Sequence, residues 1–98
     1  MSVTLIAKLK AKQGHENELE AAFHDMIKKV RANEPGCLTY ILNRSNDDPT
    51  MFVWFEIYAD KEALDAHRKT DHMKEMGQRI ANILESRQIE LLTELDRK

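Results

Sequence analysis

The stretch from Met51 to Tyr58 constrains the fold most, because it places large apolar side chains on both faces of a predicted strand. One face carries Met51, Val53, Phe55 and Ile57, and the other carries Phe52, Trp54 and Tyr58. A sheet with helices on one side only would leave one of these faces in water. We therefore expect helices to cover one face of the sheet and a second sheet to cover the other.

Hydrophobic periodicity predicts the elements around this strand. They are a strand over residues 3–11, a helix from His15 to Asn33, a strand from Cys37 to Arg44, a helix over residues 61–69, a second helical segment that continues to Ile83, and a strand of roughly Arg87 to Leu95. Gln13-Gly14 is the expected N-cap region of the first helix, while Asp60 and Thr70 are the expected caps of the later two. Pro35-Gly36 ends the first helix.

The order of these elements, strand-helix-strand-strand-helix-strand, is that of a ferredoxin-like α+β sandwich. We expect a single domain over residues 1–98, with its core in roughly 3–95. A chain of 98 residues cannot wrap both sheet faces alone. Two such sheets packed face to face form a dimeric α+β barrel, so we expect a homodimer.

Composition excludes several classes of partner. The formal net charge of −2 gives no electrostatic footprint for nucleic acid and no basic helix face for a membrane. The N-terminus lacks a signal-peptide pattern, and one cysteine, Cys37, permits no internal disulfide. We expect a cytoplasmic protein. There is no phosphate-binding glycine loop, and the spacing of His67 and His72 is not that of a zinc helix, so we expect no nucleotide cofactor and no metal.

Two histidines are the leading candidates for proton transfer, because the unperturbed pKa of histidine is near neutral. His67 and His72 are five residues apart and would point in different directions on a continuous helix. A break near Thr70-Asp71 would let both face one site. The alternative for each is a structural role at the helix junction or plain solvation.

Glu56 alternates with Trp54 and Tyr58, and a buried carboxylate among aromatic rings needs a partner. It would orient a histidine or a ligand hydroxyl, or form a structural pair. Tyr40 lies on the neighbouring strand, where it would line an aromatic site or belong to the core together with Trp54 and Phe52. We expect this face to meet the helices and bring Glu56 beneath His67. The other arrangement sends Glu56 into the dimer interface.

Three segments together resemble the antibiotic biosynthesis monooxygenase (ABM) domain family. They are VTLIAKLKAKQGHENELE near the N-terminus, EPGCLTY from Glu34 to Tyr40, and EIYADKEALDAHRKTDH from Glu56 to His72. Their order and spacing fit over roughly residues 3–93. The resemblance implies a dimeric α+β barrel with a ligand pocket between sheet and helices in each subunit. Family activities include cofactor-free oxygenation of polycyclic phenols, quinol oxidation, haem degradation and isomerisation of a phosphorylated sugar derivative.

The resemblance argues against haem degradation. Gly77 stands where the haem-degrading members have a histidine ligand, and His67 stands where they have a tryptophan. The first strand also lacks their asparagine.

The resulting prediction is a cofactor-independent monooxygenase that acts on a quinol or polycyclic phenol with dioxygen. His67 is the expected base or donor, Glu56 its orienting carboxylate and His72 a second donor. Tyr40 and Tyr58 are the expected hydroxyl partners of the substrate. Trp54 and Phe52 are the expected walls. The alternatives are a small-molecule isomerase that uses the same pocket and a non-catalytic ligand-binding or stress-response dimer.

Overall fold

A computed structural model describes all 98 residues, which form one antiparallel sheet and three helices. The strands are β1 (Val3–Ala11), β2 (Cys37–Arg44), β3 (Met51–Tyr58) and β4 (Leu84–Leu92), and the helices are α1 (Glu16–Asn33), α2 (Lys61–Arg68) and α3 (Asp71–Ile80). The strand order is β2-β3-β1-β4. This is the predicted ferredoxin-like α+β fold, with its second helical connection divided into α2 and α3. No helix has the length and apolar character needed to cross a membrane.

The core lies between the sheet and the helices. Its sheet side is formed by Leu5, Ala7, Leu9 and Ala11 of β1 and by Phe52, Trp54 and Tyr58 of β3. Phe23 of α1 packs edge-on against Phe52 and Trp54, with ring centroids 5.7 and 5.2 Å apart. The predicted choice of face is confirmed, because the side of β3 that carries Trp54 and Tyr58 is the one beneath the helices.

The caps of α2 and α3 agree with the sequence, whereas the start of α1 differs. Asp60 Oδ1 accepts a hydrogen bond from Ala63 N–H at 2.8 Å, and Thr70 Oγ1 accepts one from Met73 N–H at 3.2 Å. The N-cap of α1 is His15, without a capping side-chain bond. Gly14 instead forms the turn before the helix at φ +90°, a backbone conformation that suits glycine.

The last strand begins and ends three residues earlier than predicted. Its pairing with β1 runs from Leu84 opposite Ala11 to Leu92 opposite Thr4. The alternating pattern continues to Leu95, but β1 has no further residues with which to pair, and Leu95 is 93% exposed. Strand length is set here by the partner strand and not by the local pattern.

The other side of the sheet is only partly covered by the chain itself. Ile6, Ile41 and Phe55 lie in one row across it, since the register pairs Phe55 with both of the others. Ile41 is 47% exposed and Leu92, in the next row, is 39% exposed. A single chain therefore leaves an apolar sheet face partly uncovered.

Candidate functional site

A cavity of about 620 Å³ lies between the covered side of the sheet and the α2–α3 region. Leu5, Ala7, Leu9 and Trp54 form its sheet side, and Leu64, Met73, Met76 and Ile80 are among its helix residues. Four of the predicted site residues line it: Tyr40, Trp54, Glu56 and His67. The cavity is mostly apolar, with a few polar groups in its wall, as is usual for a small-molecule site.

His67 is held in the cavity wall by a carboxylate. Its side chain is 3% exposed, and its Nδ1 lies 2.8 Å from Oε1 of Glu34, whose side chain is 9% exposed. The ring also packs against Tyr58 and Tyr40, with centroids 5.3 and 5.6 Å away. Burial lowers the pKa of His67, while the negative charge of Glu34 opposes that shift. A neutral ring that donates Nδ1–H to Glu34 has its lone pair on Nε2.

His72 reaches the same carboxylate from the next helix. Its Nε2 lies 2.5 Å from Oε2 of Glu34, so each oxygen of Glu34 binds one histidine. The predicted break between the helices makes this possible, because α2 ends at Arg68 and α3 starts at Asp71. His72 does not line the large cavity. It borders a smaller cavity of about 130 Å³ near α1. His72 therefore does not face a ligand that occupies the large cavity.

The turn that carries Glu34 is fixed against α2 by a glycine. A Cβ on Gly36 would lie only 2.8 Å from Cβ of Ala63. The backbone at position 36 can pack this closely against α2 only because glycine has no side chain. The carbonyl of Gly36 also accepts a hydrogen bond from Ala59 N–H at 2.8 Å. Glu34 was missed as a site residue. The sequence did contain a signal, because Glu34 is an acidic residue directly before Pro35-Gly36 in the segment EPGCLTY, which resembles the ABM family.

Glu56 has a different partner from the one predicted. It is 5% exposed, and its Oε1 accepts a 2.6 Å hydrogen bond from the hydroxyl of Tyr58, two residues along the same strand. The prediction that Glu56 orients His67 was wrong, because it is Glu34 that bonds Nδ1 of His67. Burial raises the pKa of Glu56 to about 7. Glu56 is therefore a cavity-wall group that exchanges a proton near neutral pH.

The aromatic residues divide into one layer at the cavity and one beneath it. Tyr40 stacks on Trp54, with centroids 4.3 Å apart, and both line the cavity. Tyr58 is fully buried and Phe52 is 1% exposed, and neither lines the cavity. Tyr58 and Phe52, which the sequence predicted as substrate contacts, therefore lie behind the cavity lining in this chain. Tyr58 supports Glu56 instead, and Phe52 packs on α1.

Cys37 is a half-buried thiol. Burial, reinforced by the nearby carboxylates Glu34 and Glu56, raises its pKa to about 11. A thiol with so high a pKa is a poor nucleophile at neutral pH. No group of three or more His, Cys, Asp and Glu side chains is arranged to hold a metal ion.

Comparison with known proteins gives the class of this chain. A family model for antibiotic biosynthesis monooxygenases matches residues 2–79, and the chain belongs to this family. The solved structure of a candidate antibiotic biosynthesis monooxygenase from Caulobacter crescentus is 34% identical, with a TM-score of 0.92 over 97% of this chain and 91% of the other. A Pseudomonas aeruginosa protein is 30% identical, with a TM-score of 0.91 over 97% and 95%.

Among curated proteins, an uncharacterized protein from Synechocystis sp. is 26% identical over 82 residues. That match takes in 84% of this chain but only 55% of the Synechocystis protein. The chain thus spans about half the length of this relative.

Proposed function

We propose that this protein is a monooxygenase that oxidises a quinol or polycyclic phenol with dioxygen and without a metal, haem or nucleotide. The observation that carries the proposal is His67, which stands in the wall of a large apolar cavity with its Nδ1 held 2.8 Å from Glu34. Family membership supports monooxygenation as the type of reaction. The aromatic pair of Tyr40 and Trp54 supports a ring-shaped substrate.

The first step in this proposal is removal of a phenolic proton by Nε2 of His67. The carboxylate of Glu34 holds the ring in the tautomer that leaves Nε2 free, and it stabilises the imidazolium that forms. His72 is a positioning residue, because it fixes the second oxygen of Glu34. Tyr40 has a burial-raised pKa and remains a phenol that donates a hydrogen bond to the substrate anion.

The remaining chemistry belongs to the substrate and to dioxygen. The substrate anion gives one electron to dioxygen, and the resulting radical and superoxide combine at a ring carbon to form a hydroperoxide. The peroxide takes its proton from the imidazolium of His67, and His67 then removes the hydrogen of the same carbon as a proton while the O–O bond breaks. The carbon becomes a carbonyl, so one oxygen atom enters the product and the other leaves as hydroxide, which is protonated to water. Glu56, with a pKa of about 7, supplies the proton for the leaving hydroxide. The apolar walls keep bulk water from the intermediate.

The absence of haem from this proposal rests on the residues of the cavity. Gly77, which stands at the position of the haem ligand in the haem-degrading branch, lines the cavity and offers no side-chain ligand atom. We expect added haem to give no ligated-iron spectrum of defined stoichiometry. A one-to-one complex that is lost on changing a single histidine would contradict this.

We also propose that the partly uncovered sheet face forms a homodimer. The same face of a second chain would cover Ile41, Phe55 and Leu92 and so remove these apolar side chains from water. Sedimentation at micromolar concentration should give twice the monomer mass of 11.4 kDa. A mass of one chain would refute the dimer. The cytoplasmic location stays a prediction from the sequence.

Oxygen uptake against a panel of quinols and anthrones tests the function. His67→Ala should lower turnover by at least about a hundredfold, the usual contribution of a general base. The matched control is His24→Ala, because His24 also bonds a glutamate, Glu20 at 2.9 Å, but is exposed on α1. Equal activity of both variants would refute the role of His67. Turnover without oxygen would indicate the isomerase, and binding without turnover the non-catalytic alternative.

A further inference from the structure

The charged groups around the large cavity are strongly unbalanced. Its lining includes four cationic side chains, Arg68, Lys69, Lys74 and Arg87, and a single carboxylate, Glu56. The whole chain has 17 acidic and 15 basic residues, so composition predicts a slight excess of carboxylates at any site. The one carboxylate present has a pKa of about 7 and is partly neutral at physiological pH. The cavity mouth is therefore positive on a protein that is negative as a whole.

These four cations have no partners within the protein. Five of the eleven other Lys and Arg side chains, including Lys10, Lys29 and Arg79, lie within 4 Å of a carboxylate, whereas none of the four at the cavity does. All four are exposed residues at the mouth, above the buried Trp54 and His67. Their charges are free to act on a ligand that enters.

Two of the four have no local structural reason to be cationic. Arg68 lies in the last turn of α2, where a positive charge is favourable against the helix dipole. Lys74 is the fourth residue of α3, near the end of the helix where a positive charge is unfavourable. Arg87 pairs with Leu9 in the sheet register and so stands on the core-facing side of β4. Lys74 and Arg87 come from different elements, α3 and β4, and both line this cavity.

We propose that the ligand of this cavity is an aromatic anion, whose ring lies against Trp54 and whose carboxylate or phosphate group is bound by Lys74 and Arg87 at the mouth. This inference rests on the proposed function, since it assigns the chemical class of the substrate of the same site. Arg87 offers the fork of donors that matches an oxyanion, and Lys74 adds a point charge. Glu56 and His67 lie below the anionic end, beside the ring that carries the reacting hydroxyl.

Binding of three matched compounds tests the proposal independently of turnover. The probes are 1-hydroxy-2-naphthoate, 1-naphthyl phosphate and the uncharged 1-naphthol, titrated by calorimetry. Trp54 is the only tryptophan, so quenching of its fluorescence reports that each probe occupies this cavity. We expect the anions to bind about tenfold more tightly than 1-naphthol, which is what two exposed charge contacts supply. The advantage should fall as salt is raised.

A pair of double variants separates a local contact from overall charge. Lys74→Gln with Arg87→Gln should lose most of the preference for the anions and bind 1-naphthol as before. Lys28→Gln with Arg31→Gln removes the same charge from the exposed face of α1 and should keep the preference. A preference for either anion supports the proposal, and the stronger one identifies the group.

Equal affinity of the wild type for all three probes would overturn the inference, as would an equal loss in both double variants. These outcomes are distinct from failure of the proposed function. Selective anion binding without oxygen uptake would remove only the monooxygenase, and oxygen uptake without anion selectivity would remove only this inference.

Discussion

The two carboxylates buried at the site, Glu34 and Glu56, differ in the groups that bind them. Glu34 stands in a turn and binds one imidazole with each oxygen, through contacts of 2.8 and 2.5 Å to His67 and His72. Glu56 stands on the sheet, where its hydrogen bond comes from the hydroxyl of Tyr58. A histidine becomes cationic when it takes up a proton, whereas a phenol does not. The carboxylate of Glu34 can therefore compensate a positive charge on a histidine. Glu56 has no such partner, and burial raises its pKa so that the neutral acid is favoured.

Removal of the turn carboxylate should have the largest effect. Glu34→Ala leaves two largely buried imidazoles without their acceptor, and we expect the free energy of unfolding to fall by about 4 kcal/mol, the loss of two hydrogen bonds to a charged group. Urea denaturation measures this loss. The matched control is Glu18→Ala, because Glu18 also bonds a histidine, His15 at 3.0 Å, but on the surface. Its change should stay within about 0.5 kcal/mol. Similar losses in both variants would remove the distinction between buried and exposed pairs.

The pH dependence of stability should reveal Glu56. Its pKa rises from 4.5 in the unfolded chain to about 7 in the folded protein, so the folded state binds more protons between these values. The contribution of Glu56 to the free energy of unfolding is therefore fully present below pH 4.5 and is lost as the pH rises through 7. The loss amounts to about 3 kcal/mol. His67 contributes with the opposite sign, because its folded pKa is lowered.

Glu56→Gln isolates the contribution of Glu56 because both proteins retain His67. The stability of the wild type relative to Glu56→Gln should decline between pH 4.5 and 8, as measured by denaturation at each pH. Parallel curves for the two proteins would show that Glu56 does not titrate in this range.

Substitution of Gly36, with Gly77 as the comparison, tests how closely the turn that carries Glu34 packs against α2. Gly36→Ala puts a methyl group 2.8 Å from Cβ of Ala63, and we expect a loss of about 2 kcal/mol together with weaker oxygen uptake as Glu34 moves. Gly77→Ala meets nothing within 4 Å and lies inside α3, so it should stabilise the protein by up to about 1 kcal/mol. Thermal denaturation compares the two. A neutral Gly36→Ala would contradict the close approach.

The smallest expected effect concerns the partner of Glu56. Tyr58→Phe removes a hydrogen bond that lowers the pKa of Glu56, so that pKa should rise further above 7. The cost in stability is about 1 kcal/mol, that of one buried hydrogen bond. Tyr40→Phe is the control, since Tyr40 does not bond Glu56. An unchanged midpoint in the pH profile of Tyr58→Phe would show that the bond has no part in setting the pKa.

The sequence alone determined the order of the elements and several local details. Periods of two and 3.6 residues are properties of neighbouring side chains, so the bounds of β1, β2 and β3 followed directly. Asp60 and Thr70 could be recognised as caps because a capping bond spans only three residues. The break at Thr70 followed from the same signal. The two-sided apolar character of β3 also indicated that its single carboxylate, Glu56, would be buried.

Tertiary structure decided which groups meet. The partners of Glu34 are 33 and 38 residues away along the chain, and the cations of the cavity mouth come from the end of α2 and the residue after it, from α3 and from β4. Such pairings depend on how rigid elements pack and not on any local pattern, which is why Glu34 was missed and Glu56 was given the wrong partner. The end of β4 was likewise set by the length of β1. Short-range periodicity and capping fix the elements, whereas the site is built from long-range contacts that only packing selects.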